Sequence, residues 1–181
     1  MSQLVWLLDR GAGLVAYPAL YLAVLTGIFY NTEAFGVLHT AARRVHIEIS
    51  VFAMLVTLLH AGLGLLDAWF VLSGEAPAPA YSLSYFLGGV VVGVGALLML
   101  VVAVLGFTDA KRFDDPWGPR VVHSFAYGGF GFGTIHVAAI GTDIAGLIVP
   151  VLAPSMMFLA YVLLLRLFVL RRSERASPAS Q

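Results

Sequence analysis

The sequence contains no cysteine. That absence excludes a disulfide framework, thiolate-ligated zinc, an iron–sulfur cluster, and a c-type haem attached through a Cys-x-x-Cys-His run. Charge is scarce as well: 11% of the 181 residues are charged, against 60% hydrophobic. With a mean hydropathy of +0.94, a water-soluble globule is excluded. Ten basic and ten acidic residues cancel, so no net field favours nucleic acid. The side chains left to bind a metal or a haem are five methionines and five histidines, namely His39, His46, His60, His123 and His136.

A helix needs roughly 20 apolar residues to cross about 30 Å of hydrocarbon. Five stretches reach that length, at residues 11–32, 45–66, 83–107, 121–142 and 144–165. Tyr17-Pro18 lies inside the first and predicts a helix irregularity there, not a terminus. Ala-Pro-Ala-Pro-Ala precedes the third, and Gly141-Thr142-Asp143 makes a tight turn between the fourth and fifth. Nine of the ten basic residues, Arg43, Arg44, Lys111, Arg112, Arg120, Arg166, Arg171, Arg172 and Arg175, fall on one side of this pattern. The positive-inside rule then puts the N-terminus outside and the C-terminus in the cytoplasm. The expected fold is an all-α polytopic membrane bundle of five transmembrane helices, one domain over residues 1–172 with a polar cytoplasmic tail at 173–181.

An ionisable side chain inside a span is expensive and by default marks a site. His46 and His60 share the second span, 14 residues apart; His123 and His136 share the fourth, 13 apart. Spans two and four run parallel, so His46 is level with His123 near the cytoplasmic face, and His60 with His136 nearer the outside. The two levels are roughly 20 Å apart, room for two stacked macrocycles. Fourteen residues return to within about 40° of one helix face, whereas 13 leave an offset of about 140°. The second spacing therefore predicts a local distortion of span four, placed at Gly128, Gly129, Gly131 and Gly133, with Gly62 and Gly64 serving similarly beside His60. Each level supplies two ligands and no carboxylate or thiol at mid-membrane depth, too few for zinc or copper but enough for a bis-histidine haem. Arg43 and Arg120, each three residues before a histidine, are candidate partners for haem propionates. Glu48 is expected to pair with Arg44. Trp6, Trp69, Trp117, Tyr81 and Tyr85 are read as an interfacial aromatic belt, and His39 as a loop residue.

Arg43-Arg44-Val45-His46 followed by His60, and Trp117 with His123-Ser124-Phe125-Ala126-Tyr127 followed by His136, resemble the ferric reductase-like transmembrane domain family. This is the haem-bearing membrane part also found in NADPH oxidases and metalloreductases. Asp9-Arg10-Gly11-Ala12-Gly13-Leu14-Val15-Ala16 and Gly141-Thr142-Asp143 resemble its stand-alone prokaryotic members, and the likeness covers about residues 9–170. The resemblance implies two haem b groups, the inner held by His46 and His123 and the outer by His60 and His136, in a prokaryotic plasma membrane. It also implies transmembrane electron transfer, from a separate flavoprotein or a quinol to a periplasmic or extracellular acceptor. Two alternatives stand beside it: a quinol-oxidising haem subunit of a periplasmic reductase, and a transporter or channel whose histidines relay protons or bind metal.

Overall fold

A computed structural model describes residues 2–32, 35–76, 83–108, 117–141 and 146–176. All regular structure among the described residues is helical: α1 (Ser2–Tyr30), α2 (Val37–Leu72), α3 (Leu83–Thr108), α4 (Trp117–Ile140) and α5 (Ala153–Ala176), the last preceded by a π-helical turn at Ile148–Leu152. Four helical stretches, in α1, α2, α3 and α5 with the turn before it, are long and apolar enough to cross a membrane. α4 has 24 residues, about 36 Å at 1.5 Å per residue. Its two histidines and five glycines lower its hydropathy below that of the others.

The element boundaries differ from those expected, for identifiable reasons. α1 starts well before residue 11 and carries Asp9 and Arg10 inside the helix. Counting uncharged residues stops a span at its first charge, whereas a helix accepts a charge that finds a partner. α1 continues through Tyr17-Pro18, as expected. α2 extends beyond 45–66 at both ends, so His39 lies in its first turn and is not a loop residue. The fifth helix begins at Ala153, not near 144: Pro150 removes a backbone donor and the chain passes it in a π turn, while Pro154 sits in the first turn of the helix, where its missing donor is not needed. It runs to Ala176, taking in the first residues of the expected tail. Lys111, Arg112, Tyr81, Asp143 and residues 177–181 lie outside the described residues.

α1 and α2 form one closely packed hairpin, α3 and α4 another, and the two hairpins touch each other much more sparsely. Lipid offers no hydrophobic drive for helices to associate, so close backbone approach over small residues has to supply the cohesion. α1 buries Ala12, Ala16, Ala19 and Ala23 at helical spacing, and α2 buries Ala42, Ala53, Thr57 and Ala68. In the second hairpin Gly129 approaches Leu100 and the Ala96 carbonyl. α5 joins through a cluster of Val24 and Ile28 from α1, Phe130 from α4, and Leu159 and Val162. The opposite faces are apolar and exposed, as at Val91 (70%), Met157 (73%) and Phe168 (70%), a surface that suits hydrocarbon and not water.

The close approach at Gly129 is testable. A Cβ there would lie 2.8 Å from Leu100 Cγ and 3.0 Å from the Ala96 carbonyl oxygen, whereas at Gly131 it meets nothing within 4 Å. Gly129→Ala is expected to destabilise the protein by about 1–3 kcal/mol in denaturant titrations in detergent. Gly131→Ala is expected to be neutral or slightly stabilising.

Candidate functional site

α1 and α2 run antiparallel, with the reversal made through Gly36 at φ 54°, a left-handed value that glycine adopts freely. This sets Gly13 beside His60 and Gly27 beside His46. The repeat on α1 matches the repeat on α2, since both pairs are 14 residues apart.

All four membrane histidines use the same hydrogen bond. His46 Nδ1 donates to the Ala23 carbonyl at 2.9 Å, and His60 Nδ1 lies 3.1 Å from the Asp9 carbonyl. In the second hairpin His136 Nδ1 donates to the Gly89 carbonyl at 2.8 Å and His123 Nδ1 to the Ala103 carbonyl at 3.4 Å. A carbonyl only accepts, so Nδ1 carries the proton and Nε2 keeps its lone pair. The accepting carbonyls belong to intact helices and already bond the amide four residues on, so the imidazole uses the second lone pair. A helical Cβ points back toward the N-terminus and would cover that carbonyl from position i+4. At three of the four sites i+4 is glycine, Gly13, Gly27 and Gly93, where a Cβ would stand 3.0 Å from the imidazole ring.

The free edges of these rings face one another across the gap between hairpins. His46 and His123 have ring centroids 6.2 Å apart at 83°, and His60 and His136 have theirs 6.0 Å apart at 70°. The 13-residue spacing is accommodated with α4 unbroken as an α-helix, so the distortion expected at Gly128–Gly133 is not a change of helix type. The misfit shows at His123, whose bond to its carbonyl is the longest of the four. A cavity of about 510 Å³ lies at the His60/His136 level, bordered by Trp6, Asp9, Arg10, Gly93, Gly129 and Gly133. One of about 80 Å³ lies at the His46/His123 level. Between them Tyr17 stacks on Phe130, centroids 5.7 Å apart, and shares a 3.2 Å hydrogen bond with Thr134.

Other expected residues fall into place differently. Arg43 and Arg120 are exposed and line neither cavity. Arg44 Nε donates to Glu48 Oε1 at 3.0 Å, an exposed pair of small energetic weight. A Cβ at Gly62 would meet nothing within 4 Å. Trp6 lies under the Arg10 guanidinium at 4.3 Å, at the cavity mouth. His39 and His46 stack on Tyr30 at 6.0 and 6.3 Å. Residues missed from the sequence are Asp9, whose Oδ1 is 2.8 Å from His60 Nδ1, and Gly13, Gly27 and Gly93. The matching 14-residue repeats of glycine and histidine were the signal for two of them. Among the described residues no group of three or more His, Cys, Asp or Glu could hold a metal ion.

Compared with known proteins, the chain belongs to the family described as Domain of unknown function (DUF8596), whose model matches residues 4–143. No curated protein and no solved structure matches. The matched stretch holds both hairpins with all four paired histidines and stops before α5.

The shared hydrogen bond makes a direct prediction. In ¹⁵N NMR spectra of the protein prepared without added metal or haem, the four paired histidines are expected as Nδ1–H tautomers with Nε2 unprotonated. The Nε2–H tautomer at all four would contradict it.

Proposed function

We propose that this member of the family is a dihaem b-type cytochrome of the ferric reductase-like kind, which carries single electrons through the membrane. The observation that carries the reading is the pair of facing histidine couples whose Nδ1 atoms are all occupied by backbone carbonyls. Metal–imidazole bonds of about 2 Å on either side of one ion put the two ring centroids about 6 Å apart. The observed 6.2 and 6.0 Å fit that geometry. Metal-bound histidines nearly always donate their other ring nitrogen to a carbonyl or carboxylate, which fixes the ring and strengthens the ligand. Two ligands at each of two levels suit an ion whose other positions come from a macrocycle, and they do not suit a protein-built tetrahedron.

When bound, each haem supplies reversible one-electron exchange at its iron. The chain supplies everything else. His46 with His123 and His60 with His136 are the ligand pairs, Gly13, Gly27 and Gly93 make room for three of the imidazoles, and Gly133 borders the larger cavity without a side chain. The apolar helix faces keep water away, and Tyr17 and Phe130 fill the space between levels. A cavity of about 510 Å³ is of the size that takes a large cofactor. At the His46/His123 level the smaller cavity requires the sparsely joined hairpins to part by a small movement. In this reading α4 completes a five-span bundle with the arginine-rich ends in the cytoplasm of a prokaryotic cell. A flavoprotein or quinol donates at that side, and the outer acceptor is a ferric chelate, oxygen or a partner protein.

Protein purified from haem-replete membranes is expected to give two haem b per chain in a pyridine haemochrome assay, falling to one in His46→Ala or His60→Ala. No haem in the parent protein would overturn the reading and leave the transporter alternative. A green fluorescent protein fused after α5 is expected to fluoresce and a phosphatase in the same place to be inactive; the reverse pattern would overturn the orientation.

A further inference from the structure

We infer that Asp9 is a positioning residue that lowers the reduction potential of the His60/His136 centre. The inference rests on the dihaem reading and goes beyond it, because it assigns a residue that tunes one centre.

The four histidines share one backbone hydrogen bond, and beside His60 there is also a carboxylate. Asp9 Oδ1 stands 2.8 Å from His60 Nδ1, while the Asp9 carbonyl oxygen stands 3.1 Å from the same nitrogen. That Oδ1 is buried and accepts no aligned hydrogen bond, so it stands beside the Nδ1–H as a charge while the backbone carbonyl takes the hydrogen bond. The polar side chains nearest His46 Nδ1 are the neutral hydroxyls of Thr26 and Ser50, each at 3.5 Å. The contact comes from the fold, since Asp9 and its carbonyl lie one turn before Gly13 on the face of α1 that His60 packs against. From α2, Gly64 closes the other side: a Cβ there would stand 3.3 Å from Asp9 Oδ1. Arg10 and Asp67 border the same cavity, and His136 faces His60 across it. A negative charge beside Nδ1 stabilises the positive end of the N–H dipole and makes Nε2 a stronger electron donor. A stronger donor favours the oxidised iron, which lowers the potential. Axial ligation and hydrogen bonding to the ligand are the levers by which a protein sets a haem potential.

Asp9→Asn keeps the shape and the backbone carbonyl but removes the negative charge. In spectroelectrochemical titration of purified protein, one of the two midpoints is expected to rise by at least tenfold in the reduction equilibrium, about 59 mV for one electron. The other is expected to stay within a small fraction of that. The assignment is made in single-haem backgrounds: the rise appears in Asp9→Asn with His46→Ala and not in Asp9→Asn with His60→Ala. Gly64→Ala, which pushes the carboxylate without changing its charge, is expected to shift the same midpoint upward by less, and Gly62→Ala not at all. This second variant decides the matter if Asp9→Asn does not hold its haem. Two haems with midpoints unmoved in these variants, or both moved equally, would overturn the role of Asp9 and leave the dihaem reading standing. A parent protein without haem would overturn the dihaem reading itself.

Discussion

The rest of the structure depends on the hydrogen bond from an imidazole Nδ1 to a helix carbonyl on the neighbouring helix. A histidine in hydrocarbon without a partner costs several kcal/mol, because neither ring nitrogen finds water. Here each ring is satisfied on one side by Ala23, Asp9, Ala103 or Gly89, within its own hairpin. That bond sets the depth at which the two helices align, since moving either helix by one residue separates donor from acceptor. It also sets the tautomer, so the nitrogen turned toward the other hairpin is the one that can bind. The glycines at i+4 of Asp9, Ala23 and Gly89 follow from it, because a Cβ there would crowd the ring that reaches the second lone pair of the carbonyl.

The two hairpins repeat one plan. On α1 the accepting carbonyls are Asp9 and Ala23, and on α3 they are Gly89 and Ala103, 14 residues apart in both cases. The donating histidines are 14 apart on α2 but 13 on α4. A single-residue shortfall against an equal ladder has to appear as a turn of one ring or a stretched bond, and His123 at 3.4 Å is where it does. Each hairpin thus bonds its own histidines internally, with small residues packing its helices. Between hairpins there is little packing to hold them together. On the proposed reading, two irons bound from both sides supply that cohesion, and binding energy contributes directly to the fold.

Much of this was legible in the sequence, because its information lies in spacing. Apolar runs bounded by charges place the helices, and histidines at matched depths on parallel spans place the facing pairs. The run-counting failed where a charge is used instead of shed. Arg10 ended the first span on paper and left Asp9 outside it, but in the structure Asp9 is inside α1 and against His60. The glycines were sought on the histidine helices, at Gly62 and Gly128–Gly133, because periodicity is read within one helix. Those touching His60, His46 and His136 belong instead to the partner helices α1 and α3, and finding them requires the vertical register between helices. Arg43 and Arg120 show what one turn along a helix leaves open: it is a statement about height, and both residues are exposed.

The two levels are therefore alike in ligands and unlike in surroundings. At the His46 level an aromatic stack, His39 on Tyr30 on His46, leads away from the site toward the end of the bundle that carries Arg44 and Glu48. At the His60 level there is no such stack among the described rings; there are instead a larger cavity, an indole under a guanidinium, and two carboxylates. On the proposed reading, similar ligand pairs in unlike settings do not have equal electron affinity, because local charge and ligand basicity act on the iron. A duplicated hairpin by itself would build two equivalent centres with no preferred order. The carboxylate of Asp9, 2.8 Å from His60 Nδ1, is the charge that sets the outer level apart on that reading.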